Sequence, residues 1–124
     1  MALAISTKKA PAAIGPYSQG VKVGNLIFTS GQLGIDPETG KMPPEVENQA
    51  RNSLQNIRAI LEAAGSGMDK VFKTVVFLAD MNDFTAVNNV YEGFFTGTFP
   101  ARSCVQVARL PKDALVEIEA VAVI

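Results

Sequence analysis

The chain has 124 residues, enough for one domain around one buried core; its single Cys104 excludes an internal disulfide, and its lack of histidine excludes Ser-His and Cys-His nucleophilic pairs and His-containing zinc or iron sites. Eleven basic and twelve acidic residues leave a formal charge of -1, and no stretch concentrates Lys and Arg, so nucleic-acid binding gets no support. Hydrophobic residues reach 48% and charged ones only 19%, which leaves few polar side chains to cover an isolated globule and implies apolar surface buried against another copy.

The opening MALAISTKKAPAAIGPYSQG lacks the uninterrupted apolar h-region of a signal peptide. No later segment approaches the roughly 18 to 20 apolar residues of a membrane span, so a soluble, unexported, cytoplasmic protein without a membrane partner is expected. Ser18 to Ser30 reads as a hairpin: Val21 and Val23 alternate with polar residues, Gly24-Asn25 turns, and Leu26-Ile27-Phe28-Thr29 runs back to Ser30-Gly31. Ile35 to Glu45 holds three prolines and a glycine and reads as a surface loop.

From Val46 to Ala64, the apolar positions Val46, Ala50, Leu54, Ile57, Leu61 and Ala64 recur at steps of three and four, which predicts an amphipathic helix with Gly65 as its C-cap. Glu47, Asn48, Arg51, Gln55, Arg58 and Glu62 fall on its polar face. Lys70 to Asp80 is rich in β-branched and aromatic residues, and both of its alternating faces turn apolar, Val75, Phe77 and Ala79 on one and Val76 and Leu78 on the other. Such a strand is expected to be covered on both sides. Asn82 or Asp83 can cap a second helix with the stripe Phe84, Val87, Tyr91 and Phe94-Phe95, Asn88 one turn beyond Phe84, and Gly97 and Pro100 as stops. Two strands follow, Ser103 to Ala108 and Leu115 to Val123, separated by the turn-like LPKDA.

The order β-β-α-β-α-β-β predicts an α+β domain, residues 1–124, with two helices on one face of its sheet. Two helices cannot cover the other face as well, so that face is expected to pack against identical subunits in a closed ring.

Few residues suit chemistry. Arg102, at the start of a strand after Pro100-Ala101, reads either as a solvated residue or as a guanidinium that grips a carboxylate through two parallel hydrogen bonds. Cys104 shares its face and, alone, reads as a small buried residue. Glu117 and Glu119 share a face of the last strand, either as exposed acids or with one of them in a cleft near Arg102, polarising water. Tyr17 follows the turn pair Gly15-Pro16 and reads as a half-buried phenol or one aimed into a site. Ser30-Gly31 is a turn, or a strand end whose backbone a ligand can approach closely.

Three blocks bring these residues under one heading: APAAIGPYSQG at Ala10 to Gly20, TSGQLG at Thr29 to Gly34, and FPARSCVQVARLPKDALVEIEAVAV at Phe99 to Val123. Over nearly its whole length the chain resembles the reactive intermediate deaminase A (RidA, YjgF) family. The resemblance implies a chorismate-mutase-like α+β fold, a homotrimer with clefts at its subunit interfaces, and cofactor-free hydrolysis of 2-iminobutanoate or 2-iminopropanoate to a 2-keto acid and ammonia, a metabolite damage-control reaction. On the family pattern, Arg102 takes the substrate-carboxylate role and Glu117 the catalytic-water role. Tyr17, Ser30, Gly31, Asn88 and the backbone of Cys104 take substrate-binding places, and Glu119 a structural one. The loop Thr96-Gly97-Thr98-Phe99 is shorter than in some relatives and bears on cleft shape. Two other readings fit the same family: a metabolite-binding or regulatory trimer, and an endoribonuclease or translation inhibitor, against which the missing basic tract and missing histidine count.

Overall fold

The structure, a computed structural model, describes residues 1–124. The expected hairpin forms from β2 (Gly20–Val23) and β3 (Leu26–Thr29), with Val23 paired to Leu26 across the turn and Gly24 at φ +60°, where glycine carries no steric penalty. Two short strands escaped the sequence reading. β1 (Leu3–Ile5) pairs with β2, and β4 (Gln32–Leu33) pairs with the last strand. Runs of three and two residues are too short for an alternation to register.

The remaining elements are α1 (Val46–Ala63), β5 (Val71–Leu78), α2 (Phe84–Tyr91), β6 (Ala101–Gln106) and β7 (Val116–Val123). The last strand in sequence is the middle of the sheet: the order is β1-β2-β3-β7-β5-β6, with β4 joined to β7. All pairings are antiparallel except β5 with β6, which α2 connects as a crossover. The sheet is therefore mixed, with the α+β architecture expected.

Alternation along the central strands decides which face the helices cover. Val116, Ile118, Ala120 and Ala122 of β7 and Thr74, Val76 and Leu78 of β5 are buried, and with Ala50, Leu54, Ile57, Ile60 and Leu61 of α1 and Val87 and Tyr91 of α2 they make up most of the core. On the other face Val75, Phe77, Glu117, Glu119, Val121 and Val123 are only half-buried, while Phe28 and Val105 stand 41% and 43% exposed. Within one chain β5 is thus covered on one side only, and its other side is an open apolar sheet face.

Helix α1 ends as its sequence predicts. Gly65 adopts φ +82°, its N–H bonds the Glu62 carbonyl, and the Ser66 N–H reaches back to the Leu61 carbonyl, closing the paired hydrogen bonds of a glycine C-cap. Helix α2 departs from expectation at both ends. Neither Asn82 nor Asp83 caps it through a side chain; Asp80 instead accepts the Asn82 N–H at 2.8 Å and opens a 3-10 turn, Met81–Asp83, that feeds the helix. The helix stops at Tyr91 and a second 3-10 turn, Glu92–Phe94, follows, so Phe94-Phe95 lie beyond it.

A polar seam on α1 also went unread. Ser53 donates to the Gln32 carbonyl, Asn52 to that of Gly34, and Asn56 to those of Leu33 and Ile35, satisfying carbonyls that the short β4 leaves unpaired. The contact is close because residue 34 is glycine: a Cβ there would collide with the backbone of Gln49. Gly34→Ala is expected to lift α1 off the sheet and cost about 1–3 kcal/mol, the range for overpacking a filled interior; urea denaturation measures it, and an unchanged midpoint would show that the helix has room to move.

Candidate active site

Arg102 is the second residue of β6, an edge strand, and pairs in register with Thr74 of β5, so its side chain leaves the sheet on the helix side. There it meets the surface of α2. One terminal nitrogen donates to Asn88 Oδ1 at 2.7 Å, and the guanidinium lies 4.9 Å from the centre of the Tyr91 ring and 5.5 Å from that of Phe84. Phe84, Asn88 and Tyr91 recur at steps of four and three, which puts them on one helix face. That spacing was visible in the sequence, but it read only as an apolar stripe.

No carboxylate lies within ion-pair distance of Arg102; the chain's one salt bridge joins Arg109 to Asp113 on the surface. The half-buried guanidinium is therefore held by an amide oxygen and two aromatic faces, with donors left for an anion. Cys104 follows on the same face, in register with buried Val76, and packs against the core. Burial raises its thiol pKa and nearby Arg102 lowers it only in part, so the sulfur is no activated thiolate.

Glu117 lies on the opposite face. It pairs with Leu33 of β4 on one side and Phe77 of β5 on the other, and Glu119 sits two residues on along the same face. The carboxyl rests against the backbone of Gly31: a Cβ at residue 31 would stand 2.8 Å from the carboxyl carbon. Glycine at this position leaves the room that the carboxyl occupies. Ser30 is fixed beside it by two bonds, its hydroxyl to the Ser18 carbonyl at 2.6 Å and its N–H to the Gln19 carbonyl at 2.8 Å. Burial first, and the charge of Glu119 second, push the Glu117 pKa above the ordinary carboxylate value.

Tyr17 is 52% exposed, and its N–H closes a turn onto the Gly15 carbonyl at 2.9 Å. It borders a cavity of about 530 Å³ walled by residues of the N-terminal segment, Ser18-Gln19 and Pro37. That cavity contains no carboxylate or arginine and touches neither Arg102 nor Glu117.

The candidate residues thus fall into two groups: Asn88, Arg102 and Cys104 between β6 and α2, and Ser30, Gly31 and Glu117 on the open sheet face, with Tyr17 joined to the second through Ser18. One cleft holding both Arg102 and a carboxylate does not exist within a single chain. Arg102 stands beside Thr74 and Glu117 beside Phe77, on strands flanking β5 and three residues apart along it. Their Cα atoms are roughly 14 Å apart at about 3.3 Å per residue and 4.8 Å per strand, and their side chains point away from each other.

Residues 7–124 match the model of the family described as Endoribonuclease L-PSP, which is the YjgF/RidA family. The chain belongs to this family. Among RidA relatives, the 2-iminobutanoate/2-iminopropanoate deaminase of Escherichia coli K12 is 59% identical, with 99% of this chain and 98% of that protein aligned. Of solved structures, E. coli TdcF with bound serine superposes with a TM-score of 0.95 at 52% identity, and the E. coli YjgF gene product with 0.95 at 58%; each match covers 98% of both chains. The RidA fold is therefore present over the full length, including the turn and strand that carry Arg102.

Proposed function

We propose that this protein hydrolyses 2-imino acids, 2-iminobutanoate and 2-iminopropanoate above all, to 2-keto acids and ammonia. One observation carries the reading: Arg102 is a half-buried cation held only by neutral groups, with no acid of its own. A small carboxylate completes it. A serine bound to the related TdcF presents what a 2-imino acid presents, a carboxylate next to a carbon bearing nitrogen. The relative named for this activity is similar from end to end.

In the reaction, Arg102 takes the substrate carboxylate in a two-bond fork and so fixes the neighbouring C=N carbon. The imine nitrogen takes a proton from solvent, water adds to that carbon, and the Glu117 carboxylate accepts one of the water's protons. Glu117 returns that proton to nitrogen; as the C–N bond breaks, the hydroxyl passes its own proton to the Glu117 carboxylate, ammonia leaves, the oxygen becomes the keto group, and Glu117 gives the proton back to solvent. A carboxyl that burial holds above its ordinary pKa is suited to both halves of this exchange. Ser30, Gly31, Asn88, Tyr17 and the Cys104 backbone shape the pocket. No cofactor enters any step.

The two groups of residues lie on opposite faces of the chain, so this mechanism needs the Arg102 group of one copy to meet the Glu117 group of another. A homotrimer closed through the open apolar sheet face does this, burying Phe28 and Val105 at the same time. No helix is long and apolar enough to cross a membrane, and the reading places the protein in the cytoplasm beside the dehydratases that release imines.

The test is imine decay: 2-iminobutanoate generated by a threonine dehydratase and trapped by semicarbazide should disappear faster with this protein than without it. A rate equal to the blank would leave a metabolite-binding trimer as the reading. Complementation tests the shared site. Arg102→Ala and Glu117→Gln chains, each nearly inactive alone at imine concentrations well below KM, should recover roughly one quarter of wild-type activity there when unfolded together and reassembled at equal amounts, because one interface in four then carries both native residues. No recovery would mean that Arg102 and Glu117 do not form one shared site.

A further inference from the structure

The grip on Arg102 does not end at the residues that touch it. Tyr91, whose ring lies 4.9 Å from the guanidinium, is the last residue of α2, where the backbone passes into a 3-10 turn. A helix end of this kind does not by itself fix a ring. What fixes this one is its hydroxyl, which lies 2.7 Å from Thr74 Oγ1 in a buried bond, with either oxygen able to donate. Thr74 is in turn the residue that pairs with Arg102 across β5 and β6. Phe95 packs against Tyr91 with the rings tilted at 45° and 4.7 Å between their centres. Tyr91 and Thr74 are 5% and 1% exposed, so neither can touch a substrate.

We propose that Tyr91 and Thr74 are positioning residues for the substrate-carboxylate site: their buried hydroxyl pair ties the end of α2 to β5 and so sets where the Arg102 fork stands. The circuit is closed. Thr74 neighbours Arg102 on the sheet, Tyr91 reaches from Thr74 over the guanidinium, and Asn88, one turn back on the same helix, bonds the guanidinium nitrogen. An edge-strand arginine has a sheet neighbour on one side only, so its remaining support comes from α2. If the ring tilts, the donors no longer face one direction, and a carboxylate loses one of its two parallel bonds. Burial keeps the Tyr91 hydroxyl protonated well past neutral pH, so the tether holds across the working range. This inference rests on the proposed carboxylate-binding role of Arg102.

The experiment uses Tyr91→Phe, Thr74→Val and the double variant in the full-length protein, with three readouts: KM and kcat for dehydratase-generated 2-iminobutanoate, the calorimetric Kd of 2-oxobutanoate, and the thermal midpoint. Each single variant leaves one buried hydroxyl without its partner and should melt lower; the double variant leaves none and should regain most of that loss. KM and Kd should rise roughly three- to tenfold in both singles and stay raised in the double, with kcat close to wild type. A double variant that recovers KM along with its midpoint would make the pair structural only and overturn the proposal. If wild type binds 2-oxobutanoate but hydrolyses no imine, a raised Kd in the double variant still upholds the positioning role while the deaminase reading falls. If wild type neither hydrolyses imine nor binds 2-oxobutanoate, both fall.

Discussion

Arg102→Ala should remove nearly all imine hydrolysis, lowering kcat/KM by roughly two to three orders of magnitude, as expected when one partner of a desolvated, charge-assisted hydrogen-bonded pair is truncated. The loss should appear mainly in KM, because the carboxylate is bound alike in the substrate and in the transition state. Arg102→Lys should recover only part of it: an ammonium restores the charge but not the fork, and Asn88 Oδ1 already occupies one donor direction. Cys104→Ala, on the same strand face, should stay close to wild type, since its thiol is held protonated and only its backbone is asked to contribute. Steady-state kinetics on freshly generated 2-iminobutanoate decide it; equal losses in the Arg102 and Cys104 variants would overturn this division of roles.

The sequence was most legible where a periodicity or a turn residue had room to register. Helix α1, the β2–β3 hairpin and the strand β5 follow from their spacing, although only one face of β5 is covered within the chain, and the Gly65 cap lies where a left-handed residue was needed. It was least legible where long-range partners decide conformation. β4 is two residues long and exists because β7 pairs with it while Asn52, Ser53 and Asn56 take up the carbonyls around it. Those side chains sit on α1 between the apolar stripe and the solvent face, where nothing local separates a buried amide from an exposed one. The capping role of Asp80 was hidden similarly, because it serves a 3-10 turn ahead of the helix rather than the helix itself.

For the site, each residue was nameable from the family motifs, yet its surroundings were not. Strand alternation correctly paired Arg102 with Cys104 and Glu117 with Glu119, but parity within one strand gives no relation to another strand. That relation depends on the β5 register, which sends the two groups to opposite faces. The support around Arg102 from Thr74, Phe84 and Tyr91 combines a strand and a helix, so no single-segment pattern contained it.

Glu117→Gln should lose about 10²- to 10⁴-fold in kcat, the usual contribution of a positioned acid-base group, with KM much less affected. It should also leave the protein at least as stable as wild type at neutral pH, which separates loss of chemistry from loss of fold. Folding raises the pKa of this carboxyl through burial and then through Glu119. Its favourable contribution is therefore complete below the unfolded-state carboxylate value and is lost as pH climbs through the higher folded value, where the native chain must hold a charge that burial disfavours. An amide carries no such charge. The thermal midpoint of the Gln variant should exceed that of wild type at pH 7, and the gap should close as pH falls below about 4.3, the ordinary glutamate value. Activity and stability thus move in opposite directions on one substitution, the pattern of a side chain kept for its chemistry. A variant that melts lower than wild type at pH 7 while retaining kcat would make Glu117 a packing residue and would require another proton carrier on the open sheet face.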